Sequence, residues 1–285
     1  MRLTPARVPF LGSRSCANPR AVLIGAGLDA TESFRSGTRE APDRIRAVSD
    51  VLETYSPQLD LDLEDLGLAD WGDVACSDGV EAALENIAEV VEQACALSAM
   101  PILVGGEHTA TVGAVSGALR RHPDLYVVQL DAHADLRDEY EGTRMSHATV
   151  MRRIADEIGY EHICQSGIRS GTREELQLAA HCLSFSQALA VGADARQAIG
   201  YHPVYLTIDI DVLDPAGAPG TGCPEPGGPS FVDLWAFICD LRDLNVVACD
   251  VMEVLPAADV NDITSIAAAK LIRDVALLFE ARRGP

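Results

Sequence analysis

Six short apolar runs alternate with helical patterns along this chain, and that alternation restricts the fold more than any other feature. The runs are "AVLIGAG" (21–27), "PILVGG" (101–106), "LYVVQLDAH" (125–133), "HICQSGIR" (162–169), "PVYLTIDID" (203–211) and "NVVACDVMEV" (245–254). Between them, "APDRIRAVSDVLETY" has Pro42 near its start, where a missing N–H costs nothing. "DGVEAALENIAEVVEQACAL" repeats its apolar residues at helical spacing, and "DITSIAAAKLIRDVALLFEARR" (262–283) begins with Asp262 placed as an N-cap. Strands joined through helices need crossover connections, so the pattern predicts an α/β chain: a mostly parallel central sheet with helices on both faces, three layers α/β/α. Across 285 residues there is no linker-like window and no internal repeat. The expectation is one domain over 1–285, with residues 1–20 as a surface arm.

In such sheets a site lies beyond the carboxyl ends of the strands, and four of the runs end in polar groups there. "PILVGG" delivers Glu107-His108-Thr109, and "LYVVQL" delivers Asp131-Ala132-His133-Ala134-Asp135. "YLTIDID" carries Asp209 and Asp211, and "ACDVMEV" carries Glu253. On a strand, positions i, i+2 and i+4 share a face, so Asp131, His133 and Asp135 are expected to converge. Carboxylates at the end of an apolar strand are costly unless a cation compensates them. His108, Asp131, His133, Asp135, Asp209 and Asp211 supply four carboxylates and two imidazoles. That is too many for one zinc ion and too rich in oxygen for a thiolate-type site, but it suits two divalent ions. Mn²⁺ fits the donor set, with Ni²⁺, Co²⁺ and Zn²⁺ left open. Such a pair generates a hydroxide at neutral pH, so the reaction expected is hydrolysis. A competing motif, "GAGLDA" (25–30), fits a nucleotide-binding turn, but "TESFRSGTREAP" after it lacks the helical periodicity that would hold a pyrophosphate.

Composition narrows the partners. A net charge of −21 argues against nucleic acid, which needs Lys/Arg clusters. The same charge serves either solubility or attraction of a cationic substrate. No apolar stretch reaches the roughly 18 residues of a membrane span. The first residues do not read as a signal peptide. The 8 cysteines are far apart and form no C-x-x-C pair, which fits reduced thiols and a cytoplasmic location.

Several motifs in order resemble the ureohydrolases, the arginase and agmatinase superfamily, over nearly the whole chain. "GGEHT" is similar to the family's G-G-D-H-S, and "DAHADLRDEYEG" contains its D-A-H-x-D. "TIDIDVLDPAGAPGTGCPEPGG", "DVMEVLP" and "SFRSGTREAPDRIR" match three further family segments. The resemblance implies an arginase-like fold and the cleavage of a guanidino group to urea and an amine. It implies that Asp131 and Asp209 bridge two metals, with His108 and Asp135 completing one ion and His133 and Asp211 the other. It further implies that Asp135 orients the nucleophile and passes a proton to the departing amine, that Glu253 grips the guanidinium, and that His147, in "MSHATVMRR", shuttles protons. A homo-oligomer, a trimer or a hexamer, is implied too. Glu107, Thr109, Ala148 and Cys223 depart from the commoner family residues.

The substrate's tail is read from the segment after Asp135. Arginases place Ile-Asn where this chain has Leu136-Arg137, and Thr143 to Ser146 contain no asparagine to receive an α-carboxylate. The resemblance is therefore closest to agmatinase-type members, and the expected substrate is agmatine, giving putrescine and urea. Aminopropylagmatine and guanidinobutyrate are the alternatives, as is an inactive member serving as a binding subunit. Asp138, Glu139 and Glu141 suit either a free amine tail or a solvated loop.

Overall fold

Strands in the computed structural model, which describes residues 3–280, begin at Leu3–Thr4 (β1) and Ala21–Ala26 (β2). They continue with Leu68–Val74 (β3), Met100–Gly105 (β4) and Tyr126–Leu130 (β5). Ile163–Ser166 (β6), Ser184–Ser186 (β7), Pro203–Asp209 (β8) and Asn245–Met252 (β9) complete the set. They form one nine-stranded sheet in the order β1-β3-β2-β4-β9-β8-β5-β6-β7. Every pairing in this sheet is parallel except β1 against β3, and Tyr55–Ser56 and Leu61–Asp62 form a separate antiparallel ladder.

The helices longer than one turn are Ala41–Ser49 (α1), Val80–Ala96 (α2), Ala110–Leu119 (α3), Val150–Ile158 (α4), Arg173–Ala179 (α5), Ala193–Ile199 (α6), Phe231–Asp240 (α7) and Ile263–Glu280 (α8). Two separate apolar cores show the three layers. One core joins α1, α6, α7 and α8 to Leu23, Ile102, Val128 and Leu206; the other joins α2, α3 and α4 to Ile24, Leu103, Val127 and Tyr205. Neighbouring strand residues thus go to opposite faces, as the pleat requires, and each fully buried aliphatic side chain contributes roughly 1.5–3 kcal/mol.

Three expectations change. Residues 3–20 are not merely a surface arm, because Leu3 and Thr4 pair with Val74 and Asp73, and Phe10 is buried with its N–H donated to Asp70 Oδ2 at 3.0 Å. Asp262 is not the cap of α8, since the carboxylate of Asp259 accepts the N–H groups of Thr264 and Ser265 at 2.9 and 2.8 Å. Asp262 instead accepts from Arg44 Nε at 2.6 Å. The strand over 125–133 stops at Leu130, for a reason that belongs to the site. Residues 281–283 of the expected last helix, and residues 1–2, lie outside the described residues. No helix begins after Gly27, so the segment that mimics a nucleotide-binding turn lacks the N-terminus such a turn requires. Among the described residues no helix is long and apolar enough to cross a membrane.

Candidate metal centre

Adjacent in the sheet, β4, β9, β8 and β5 bring their carboxyl ends together. Two glycines let β4 end there. A Cβ on Gly105 would lie 1.7 Å from Met252 Sδ, and one on Gly106 would lie 1.9 Å from the carbonyl oxygen of Leu28. The chain then places His108 against the acids. Its Nδ1 is 3.0 Å from Asp135 Oδ2, 3.2 Å from Asp131 Oδ2 and 3.6 Å from Asp209 Oδ2.

Neither acidic motif is a strand. Asp131 Oδ1 accepts the N–H of His133 at 2.6 Å, and Asp209 Oδ1 accepts the N–H of Asp211 at 2.8 Å. In each case the first aspartate bends its own chain two residues on, an Asx-turn. The second residue is thereby swung beside the first, which alternation on a flat strand would also have predicted but by another geometry. The two turns are laced together, since Asp211 Oδ1 accepts the N–H of Ala132 at 3.1 Å, and His133 Nδ1 lies 2.8 Å from Asp211 Oδ2. Asp135 follows with φ 52°, a left-handed conformation rare outside glycine. Glu253 has φ 65°, and its Oε1 accepts the N–H of His108 at 2.6 Å.

His108, Asp131 and Asp209 form one group whose ligand atoms lie within 4.8 Å of one another, and Asp131, His133 and Asp211 form another. Asp131 is common to both. Asp209 falls in the first group, and Asp135 meets that group through His108. The electrostatics show a shortage of positive charge. Burial, then Asp135 and Asp211, push Asp131 up to about 7. Burial, then Asp211 and Asp131, hold Asp209 well above the usual carboxylate range. Burial alone would lower His133, but Asp211 and Asp131 outweigh it and raise the ring to about 10. A carboxylate-rich set with two imidazoles, none of it neutralised by Lys or Arg, fits divalent cations of the Mn²⁺ type.

Supporting residues escaped the sequence reading. His108 Nε2 lies 2.9 Å from Thr207 Oγ1, and the Thr207 hydroxyl bonds Asp250. The buried Asp250 also accepts from Tyr205 and Thr111 at 2.7 and 2.8 Å. With Thr207 on its Nε2 side, His108 presents Nδ1 to the acids, where it would bind a metal ion. Alternation on β8 places Thr207 beside Asp209, but Asp250 looks like a buried strand acid and no spacing marks it. Glu107 holds the loop over the site, accepting the N–H groups of Ala30 and Thr31 at 2.8 and 2.7 Å. On that loop Glu32 is raised from 4.5 to about 7, chiefly by burial. Its Oε2 has no hydrogen-bond partner.

His108, His133, Asp135, Asp209, Asp211 and Glu253 line a cavity of about 340 Å³ together with Ser33, Arg137, Tyr140, His147, Glu175 and Cys223. His147 is set by Thr31, whose Oγ1 accepts its N–H at 3.1 Å, and its Nε2 is 3.4 Å from Ser33 Oγ. Burial first, then Glu253 and Asp211, push the Cys223 thiol up to about 11. Asp138, Glu139 and Glu141 do not line the cavity, and Asp138 is paired with Arg153 and Arg144 at 2.8 and 3.1 Å. That supports the solvated-loop reading.

The sequence model of the Arginase family matches residues 19–278. The chain is 41% identical over 275 residues to the agmatinase of Halalkalibacterium halodurans, covering 94% of this chain and 95% of that protein. It is 40% identical over 264 residues to the N(1)-aminopropylagmatine ureohydrolase of Thermococcus kodakarensis, covering 89% and 88%. The crystal structure of a putative agmatinase from Clostridium difficile superimposes with a TM-score of 0.89 at 37% identity, covering 94% of this chain and 99% of that one. Because the matched span takes in all four strand ends that carry the acids and imidazoles, the chain belongs to the arginase family.

Proposed function

We propose that this chain is a binuclear-manganese ureohydrolase that cleaves agmatine to putrescine and urea. The observation that carries it is that His108, His133, Asp135, Asp209 and Asp211 line one cavity with Glu253, with the buried Asp131 grouped among them. His108, Asp135, Asp131 and Asp209 would hold one ion, and His133, Asp211, Asp131 and Asp209 the other. When bound, two such ions supply Lewis acidity and bring a water within reach of deprotonation at neutral pH. The protein's own groups do the rest. Glu253, with Oε1 fixed by the N–H of His108, presents Oε2 to the substrate's guanidinium in a charge-assisted hydrogen bond. Asp135 takes a proton from the attacking water and gives it to the amine nitrogen as the carbon–nitrogen bond breaks. His147, beside Ser33 and Tyr140, takes up the second proton, released from the hydroxyl as the urea carbonyl forms, and passes it on so that the amine leaves as an ammonium.

Aminopropylagmatine is the second reading, supported by a ureohydrolase of that name at almost the same identity as the agmatinase. The chain acts as a single ureohydrolase domain, as a trimer or hexamer in the cytoplasm. Cysteines spaced far apart, with no C-x-x-C pair, support a reducing compartment. Urea release from agmatine, aminopropylagmatine, guanidinobutyrate and arginine, with and without Mn²⁺, tests the assignment. Agmatine should be preferred to arginine, and purified protein should bind about two Mn²⁺ per chain. Full activity after thorough chelation, or a preference for arginine, rejects it. Light scattering that finds only monomers removes the assembly.

A further inference from the structure

Beyond the reacting groups, the cavity wall holds one arginine, Arg137, and the buried carboxylate of Glu175. The two are unequally fixed. Glu175 Oε1 accepts the N–H of Leu136 at 3.1 Å, and Oε2 accepts the N–H of Thr172 at 2.8 Å. Both oxygens are therefore engaged by backbone, and the side chain is 5% exposed. Arg137 is the loose member. Its Nε is 3.4 Å from Glu175 Oε2, its side chain is 38% exposed, and its guanidinium carbon lies 4.6 Å from the centroid of the Tyr140 ring. Tyr140 in turn meets the edge of His147, with ring centroids 5.7 Å apart. A guanidinium over an aromatic ring, with one carboxylate at long range, offers the cavity a wall whose charge is largely offset. If it leaves Glu175, the same group becomes a five-donor receptor for a carboxylate.

We propose that the Arg137–Glu175 pair selects the charge of the substrate's tail: paired, it admits an amine, and unpaired, Arg137 receives a carboxylate. The wild-type cavity then accepts ω-guanidino carboxylic acids as a second, poorer class of substrate. This rests on the reading that Glu253 anchors the guanidinium end, since only then does the tail lie along this wall.

Agmatine and 4-guanidinobutyrate are close in length and opposite in tail charge, so the ratio of their kcat/KM values isolates the effect. In Mn²⁺-loaded enzyme, Arg137→Met should raise the agmatine-to-guanidinobutyrate ratio about tenfold, and Glu175→Gln should lower it about tenfold, the scale of one partly screened charge contact. Where guanidinobutyrate turnover is too slow to follow, its inhibition constant against agmatine moves in its place. Glu175 also closes the capping box of α5 with Thr172, so its replacement can harm folding. Arg137 is partly exposed, and Arg137→Met decides the matter alone. A ratio within about twofold of wild type in Arg137→Met overturns the proposal while leaving the ureohydrolase reading intact. A wild-type enzyme that releases urea from neither compound removes both.

Discussion

Glu253 meets the cavity in a strained conformation, with one oxygen already held by the N–H of His108 at 2.6 Å. Glu253→Gln keeps that hydrogen bond and the side-chain shape but loses the charge. Breaking a desolvated charge pair costs about 2–5 kcal/mol, so kcat/KM for agmatine should fall at least about tenfold with metal content unchanged. An ordinary strand-end acid would give a near-silent variant. Glu32 makes a different prediction, about stability. Its folded pKa, about 7, stands above the ordinary 4.5, mainly because burial disfavours the anion and next because Asp29 and Glu107 repel it. The stability linked to this proton is complete below pH about 4.5 and is lost as pH rises through about 7. Glu32→Gln, which cannot ionise, should therefore gain thermal stability over wild type at pH 8 relative to pH 4.5 in metal-free protein. Equal differences at the two pH values would contradict the shift. At this scale the sequence was most informative where a chemical group stood at a strand end. Five of the six expected ligands line one cavity with Glu253 and His147, and the buried Asp131 lies among them. What it could not reveal was support from chain segments far away. Asp250 steadies His108 through Thr207, and Glu32 comes from a loop whose fold depends on Glu107.

Among the elements, six strands were legible because each is a continuous apolar run, as a strand buried on both faces must be. β3 was not, because Asp70, Gly72 and Asp73 make it read as a loop. Arg46 of α1 is 1% exposed and neutralises that strand, meeting Asp70 at 2.8 Å and Asp73 at 2.6 Å. Such a pair is invisible until the fold exists. β1 and β7, of 2 and 3 residues, are too short to show periodicity. The start of α8 shows the same limit. Asp262 has the right residue type at the right place, but its φ of 60° belongs to a turn, and Asp259 reaches the free N–H groups instead. Asp259→Ala should cost about 0.5–2 kcal/mol in urea denaturation, the range for a helix cap. Asp262→Ala should cost less than about 1 kcal/mol, because its pair with Arg44 is partly exposed. The reverse order would restore Asp262 as the cap.

For the molecule as a whole, a net charge of −21 sets up a field that a dicationic substrate would feel before contact. Salt shortens that reach to about 10 Å at 0.1 M, so kcat/KM for agmatine should decline as ionic strength rises, while turnover at saturation changes little. A flat profile in protein that stays folded assigns the charge to solubility alone. The sheet order carries a consequence of another kind. β9 leaves the ribosome after the other eight strands of this sheet, yet it lies between β4 and β8. Until it is made, the chain can form only two half-sheets, one ending at β4 and the other at β8, each with an unpaired edge of the kind that invites aggregation. His108 belongs to the first half, and Asp131, His133, Asp135, Asp209 and Asp211 to the second. The contact between His108 and Glu253, 145 residues apart, joins them only when β9 zips the halves together. The candidate metal site is thus split until β9 has been made, and its completion waits on the most distant pairing in the sheet.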